Sequence, residues 1–315
     1  MIRTAVIGVG YLGRFHAQKY AGLANSQLVG IADPQPAARQ AVAAELKVAA
    51  HADYRELLGK VDAVSIVTPT ASHFEVAKAF LEAGAGVLVE KPMTVTVAEG
   101  EELIGIAQRA RRILQVGHLE RFNAAVLAVQ PTLTVPRFIE SARLAPFKHR
   151  GTDVDVVLDL MIHDIDLILS IVRSPVVSVD AIGSSVFSKE IDIANARLRF
   201  ANGCVANATA SRVSLKTERK LRLFQDDAYM SLDLQQKILT VIRKGDGVGP
   251  DGMPQVAIEE NTYEQGDALK AEIEAFLAAV ATGHAPPVTG EDGLLALRTA
   301  VSIAEQVASS MAKFS

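Results

Sequence analysis

The stretch Arg3-Thr4-Ala5-Val6-Ile7-Gly8-Val9-Gly10-Tyr11-Leu12-Gly13 decides how the first half of the chain reads. Arg3 to Val9 is a short apolar strand pattern, and Gly8, Gly10 and Gly13 set G-x-G-x-x-G at the start of a helical pattern from Leu12 onward. Each glycine has its own task. Gly8 permits the tight turn, Gly10 lets the backbone approach a pyrophosphate, and Gly13 lets helix and strand close on one another. Tyr11 and Leu12 lie at the start of a helix whose free N–H groups and positive dipole end attract phosphate. A second apolar strand, Gln27 to Ala32, ends on Asp33. A carboxylate there accepts hydrogen bonds from both hydroxyls of an adenosine ribose and repels a 2′-phosphate, which selects NAD over NADP.

Working outward, strand and helix signals alternate up to His118. A helix is expected over Pro36 to Leu46, a short one near Tyr54 to Leu58, a strand over Ala63 to Val67 and a helix over Ser72 to Ala83. A strand over Val87 to Val89, a helix over Val97 to Arg111 and a strand over Ile113 to Val116 follow. This rhythm predicts an α/β Rossmann domain, a doubly wound parallel sheet, over residues 1–118. Ligands bind such sheets at the carboxyl ends of the strands. The cofactor-binding candidates are therefore Gly8, Gly10, Tyr11, Leu12, Gly13, Asp33, Thr68, Pro69, His73, Glu90, Lys91 and His118. His73 reads equally well as a helix-start residue with no further role.

After His118 the rhythm changes. A long apolar helix over Asp153 to Val172 precedes closely spaced strand patterns between Val176 and Arg243, with Asn202-Gly203 as a hairpin signal. Residues 245–252 read as a loop, and two helices close the chain, near 267–281 and 291–311. Residues 119–315 are expected to form an α+β domain with a large, mostly antiparallel sheet for substrate binding and oligomerisation, the last helix returning to the first domain. Ala206, Ala208 and Ala210 give one strand a small-residue face that suits packing on a helix or on another sheet.

Composition narrows the class. The chain has 315 residues, 49% hydrophobic and 22% charged, which is a globular composition with room for two cores. A net charge of −4 argues against a nucleic-acid partner. A lone cysteine, Cys204, excludes a disulfide framework and reads as a buried inert thiol. The chain opens on strand pattern and holds no apolar run of spanning length, so a cytoplasmic protein with no membrane partner is expected.

The helix after Asp153 carries the chemistry. It is apolar nearly all round, yet Asp155, Asp159 and His163 recur at four-residue spacing on one face. Buried carboxylates need a partner, a polar cavity or a ligand. Asp159 and His163 suit an acid/base pair in which the carboxylate orients the imidazole, while Asp155 suits a helix-start charge. Asp-x-x-x-His offers two metal ligands and no third, so no metal is expected. Asp164 and Asp166 suit salt bridges. At the end of a sheet strand, Lys91 can hydrogen-bond a substrate oxygen, and Pro92 suits a cis turn. Arg143, Lys148, His149 and Arg150, with Arg212, Arg219 and Arg222, form a basic cluster. It suits either a diphosphate or a solvated, subunit-facing surface.

Taken together, the glycine motif, Thr68-Pro69-Thr70 with His73, Glu90-Lys91-Pro92, Gly117-His118 and Asp159-Leu160-Met161-Ile162-His163-Asp164 resemble the glucose-fructose oxidoreductase / inositol dehydrogenase / MocA family over essentially the whole chain. The resemblance implies an NAD-dependent dehydrogenase acting on a sugar or cyclitol hydroxyl, with Lys91, Asp159 and His163 as the catalytic group. Either Lys91 or His163 takes the proton. It also implies a homodimer or homotetramer. The stretches 117–123 and 149–155 resemble the branch that oxidises UDP-N-acetylglucosamine to its 3-keto derivative for a partner aminotransferase. That branch implies a sugar-nucleotide substrate held by Lys91, Glu120, Arg121, Asn123, Arg143, Lys148, Arg150, Asp159 and His163. Two other readings stay open: an inositol or free-monosaccharide dehydrogenase, and a non-catalytic nicotinamide-binding regulator.

Overall fold

The computed structural model describes residues 1–147, 154–248, 252–263 and 266–312. In chain order the elements are β1 (Ile2–Ile7), α1 (Tyr11–Gly22), β2 (Ser26–Ala32), α2 (Pro36–Leu46), β3 (Ala49–His51), β4 (Ala63–Ile66), α3 (His73–Glu82), β5 (Gly86–Glu90), α4 (Val97–Ala110) and β6 (Leu114–Gly117). Then come α5 (Ala124–Val129), β7 (Phe138–Leu144), a π-helical turn over Val157–Met161 and α6 (Ile162–Val172). Strands β8 (Val176–Ser184), β9 (Ile193–Phe200), β10 (Val205–Ser211), β11 (Glu218–Phe224), β12 (Ala228–Asp233), β13 (Ile238–Val248) and β14 (Pro254–Thr262) follow. Helices α7 (Ala268–Thr282) and α8 (Gly290–Met311) end the chain. Two compact units result, residues 1–119 with 267–295, and residues 120–266 with 296–315.

In the first unit six strands run in the order β3-β2-β1-β4-β5-β6, all parallel. This is the doubly wound order with its switch point between β1 and β4. The four residues of β4 are all buried, as a strand covered on both faces requires. Local signals set the helix ends. Pro36 opens α2, and Thr96 with Glu99 forms a capping box on α4. Residues 267–295 correct the expected assignment to the second domain. Leu269, Ile273, Phe276 and Leu277 of α7 join the core built by Ala17, Tyr20, Ile31 and Leu88. The penultimate helix, not the last, completes this unit; of α8 only residues 290–295 belong to it.

In the second unit eight strands run β14-β13-β12-β11-β7-β10-β9-β8, antiparallel except for β7 beside β10. Gly203, at φ +88°, and Asn202, whose side chain accepts the Cys204 N–H, make the expected hairpin turn. The region read as a loop over 245–252 is partly strand, because β13 continues to Val248 and pairs with the unforeseen β14. Ala206, Ala208 and Ala210 are fully buried in the same core as Ile162, Ile165 and Ile168 of α6. Of the two partners their small-residue face suits, the structure shows the helix. Each such buried isoleucine side chain contributes roughly 1.5–3 kcal/mol over exposure. Cys204 lies in this core, and burial pushes its thiol up to about 11, leaving an inert thiol. Among the described residues no helix is long and apolar enough to cross a membrane.

Candidate active site

The carboxyl edge of the first sheet builds a cofactor cradle. Gly8 turns at φ +81°, and a Cβ there would lie 2.7 Å from the Val67 carbonyl oxygen. A Cβ on Gly13 would lie 1.8 Å from the Gly8 oxygen, so only glycine lets α1 start this close to β1. Gly10 faces open space, as approach by a pyrophosphate requires. Tyr11 and Leu12 begin α1 and are exposed. Beside them a cavity of about 600 Å³ is lined by Gly8, Gly10, Asp33, Thr68, Pro69 and Tyr54, among others. Asp33 is held rigidly. Its Oδ2 accepts the Val9 N–H and its Oδ1 the Gln35 N–H, each at 2.8 Å. A carboxylate oxygen retains a second lone pair, so both remain able to accept ribose hydroxyls. These residues fit NAD: a glycine turn for the pyrophosphate, an open helix start, and a fixed carboxylate at the ribose end.

Strand β5 ends at the same edge. The Lys91–Pro92 peptide is cis, as the turn reading expects. Glu90 turns inward, where its Oε1 lies 3.2 Å from Nε2 of the fully buried His16. Gly117 leaves room for it, since a Cβ there would sit 2.9 Å from the Glu90 carboxyl carbon. His118, next in the chain, is buried. His73, also buried, bridges two loops through its ring, Nδ1 at 2.9 Å from the Pro92 oxygen and Nε2 at 2.8 Å from the Thr68 oxygen. His16 escaped the sequence reading. Its signal was available, because Gly13, His16, Ala17 and Tyr20 share the buried face of α1.

In the second unit Asp155 caps the start of the helix that carries Asp159 and His163, its Oδ1 accepting the N–H groups of Val157 and Leu158. Asp159 and His163 are half-buried and lie across the π-helical turn, where an uninterrupted α-helix was expected. Such turns recur at functional sites. Arg212 anchors the approach to this helix by donating to the carbonyls of Val154 and Ile191, with Asp192 at 3.3 Å.

Four residues expected to hold substrate are committed to internal partners. Arg121 makes two 2.7 Å bonds to Asp166. Arg143, nearly fully buried, donates to Asp164 and, at 3.0 Å, to Glu120. Glu120 thereby balances an arginine, and Asn123 caps α5 while donating to Leu234 and Glu120. The physical reason is burial, since guanidinium and carboxylate groups taken out of water have to be paired. Burial opposes the Arg143 charge, but Asp164 and Glu120 outweigh it and hold its pKa above the ordinary arginine value. Arg222 is half-exposed beside Glu140. Arg219 keeps 48% side-chain exposure and only a 3.7 Å contact with Glu120. Lys148, His149 and Arg150 lie outside the described residues. No group of three or more His, Cys, Asp or Glu among the described residues could hold a metal ion.

Lys91 belongs to the first unit and Asp159 and His163 to the second. Family comparison adds what neither unit shows by itself. Residues 2–118 match the oxidoreductase family with an NAD-binding Rossmann fold, and residues 108–230 match the GFO/IDH/MocA C-terminal domain. The chain belongs to this family and is an NAD-dependent dehydrogenase. It is 45% identical over 286 residues, 90% of each chain, to UDP-N-acetylglucosamine 3-dehydrogenase of Acidithiobacillus ferrooxidans. A solved structure of that enzyme matches with a TM-score of 0.92 at 43% identity, covering 97% of both chains. Inositol 2-dehydrogenase of Rhizobium meliloti is 26% identical, covering 98% of this chain and 97% of its own.

Two outcomes test the site. Asp33→Ala should weaken NADH binding about 10-fold or more by removing charge-assisted acceptors, and should narrow the preference over NADPH. Fluorescence titration with both nucleotides checks it, and an unchanged preference would contradict the role. Arg143→Met should destabilise the protein by about 3 kcal/mol, because two carboxylates lose their buried counter-charge. Urea denaturation reads this, and adding Asp164→Leu should restore part of the loss.

Proposed function

We propose that the protein oxidises UDP-N-acetylglucosamine at C3, with NAD, to the 3-keto sugar nucleotide, which a partner aminotransferase then consumes. The observation that carries this reading is the 45% identity, over nine-tenths of both chains, to an enzyme of that name. The catalytic group is Lys91, Asp159 and His163. Bound NAD supplies the hydride acceptor. The chain handles the proton: His163, or Lys91 in its neutral form, takes it from the hydroxyl. Lys91 stabilises the negative charge that develops on the oxygen. Asp159 holds the His163 ring in one orientation and tautomer.

Among the basic residues described, Arg219 is the one this reading assigns to the diphosphate. It pairs across the sheet with Arg143 in register, yet it stays half-exposed. The reading extends to a homodimer or homotetramer joined through the open face of the second sheet. There Glu140, Asn195, Asn207, Thr209, Lys220 and Arg222 line a shallow polar cavity of about 280 Å³. Light scattering on the eluted protein reads the assembly, and a monomer would contradict it.

The test of function is NADH absorbance with UDP-N-acetylglucosamine, other UDP-sugars, free hexoses and inositols, a carbonyl trap drawing off product. UDP-N-acetylglucosamine should give the highest kcat/KM; preferential turnover of inositol would overturn the assignment. Lys91→Met and His163→Ala should each lose about 100-fold or more in kcat while still binding NADH. Near wild-type turnover in both would remove the catalytic group. Arg219→Gln should raise KM for the UDP-sugar about 10-fold with little change in stability, and an unchanged KM would remove its role.

A further inference from the structure

Thr68 and Pro92 stand in the loops that follow β4 and β5, which are neighbours in the sheet. Thr68 lines the cofactor cavity, and Pro92 directly follows Lys91. One side chain spans the two loops. The His73 ring, 1% exposed, sets Nε2 at 2.8 Å from the Thr68 carbonyl oxygen and Nδ1 at 2.9 Å from the Pro92 carbonyl oxygen. Its backbone is fixed independently as the first residue of α3, and Ser72 Oγ, 2.9 Å from both Thr68 Oγ1 and the Pro69 oxygen, ties the same loop to the helix start. An imidazole with one N–H donates to one of the carbonyls, and with two it donates to both. Burial pushes the His73 pKa below the ordinary imidazole value, against the pull of the two carbonyls and of Glu90. On the other flank of Lys91, Glu90 faces the buried His16. The lysine is thus carried on a turn bridged by His73 on one side and packed beside His16 on the other.

We propose that His73 is a positioning residue that sets the spacing between the Thr68 loop, on which the cofactor rests, and the turn that presents Lys91. The inference rests on Lys91 being catalytic. A helix-start residue without this role would tolerate loss of its ring nitrogens at a cost in stability alone. A strut between two loops of a site changes turnover, because a displacement of about 1 Å costs on the order of 100-fold in rate.

Three variants separate the two contacts. His73→Asn keeps an amide N–H near the Nδ1 position, His73→Gln keeps one near Nε2, and His73→Leu keeps neither. The expected order of kcat is wild type, Asn, Gln, Leu, with Leu down about 100-fold. Gln should hold NADH affinity better than Asn. A second readout needs no turnover. Trace acetylation of amines by acetic anhydride, read at Lys91 by mass spectrometry across pH, should shift its midpoint in Gln and Leu but not in Asn. The same Lys91 midpoint in all folded variants, the Asn and Gln pair sufficing if Leu does not fold, would overturn the proposal. Full turnover in Lys91→Met would instead remove the catalytic reading of the lysine, while the labelling still reports on His73.

Discussion

Everything at the carboxyl edge of the first sheet depends on how closely one helix can approach the end of one strand. The Gly8 carbonyl oxygen occupies space that a Cβ on Gly13 would need, and the positive φ of Gly8 turns the chain where that approach is made. With α1 seated there, the Val9 N–H meets Asp33, and the carboxylate is fixed before any ligand arrives. The same seating sets His16 against Glu90 at the end of β5. One steric constraint near the start of the chain therefore reaches the neighbours of Lys91, some eighty residues later in sequence.

The second unit solves a different problem. Its central helix is apolar, and the charges it carries are dealt with one by one. Asp155 caps the start, while Asp164 and Asp166 are neutralised by Arg143 and Arg121. Buried pairs of this kind add little net stability, but removing one partner is costly, so they lock the helix in position. Asp159 stands between these committed groups on a π-helical turn, and His163 follows it in the first turn of α6. The acid/base role we propose for them benefits from such surroundings, because charged neighbours that are already paired do not compete for the pair's proton.

Much of this was legible in the sequence, and the gaps have physical causes. The parallel sheet could be read because its strands are short apolar runs separated by helices with clear starts, such as Pro36 and the Thr96–Glu99 box. The extra strand β14 could not, since its Glu259-Glu260-Asn261 run is polar and exposed and only pairing with β13 makes it a strand. The return of α7 to the first unit was hidden because an amphipathic pattern names a buried face but not the core that receives it. The arginines show the same limit most sharply. Arg143 and Arg219 look alike in sequence and sit opposite one another in register, yet one is sealed against carboxylates and the other reaches solvent. Charge clusters announce electrostatic work, and only the fold says whether the partner is a ligand or the protein itself.

The central claim is the chemistry we propose: an amine from the first unit and an imidazole from the second act on one hydroxyl. A crystal structure of the protein with NADH and UDP-N-acetylglucosamine tests it most directly. The account predicts the C3 hydroxyl within about 2.6–3.2 Å of both Lys91 Nζ and a His163 ring nitrogen. A sugar whose C3 hydroxyl meets neither group would contradict it.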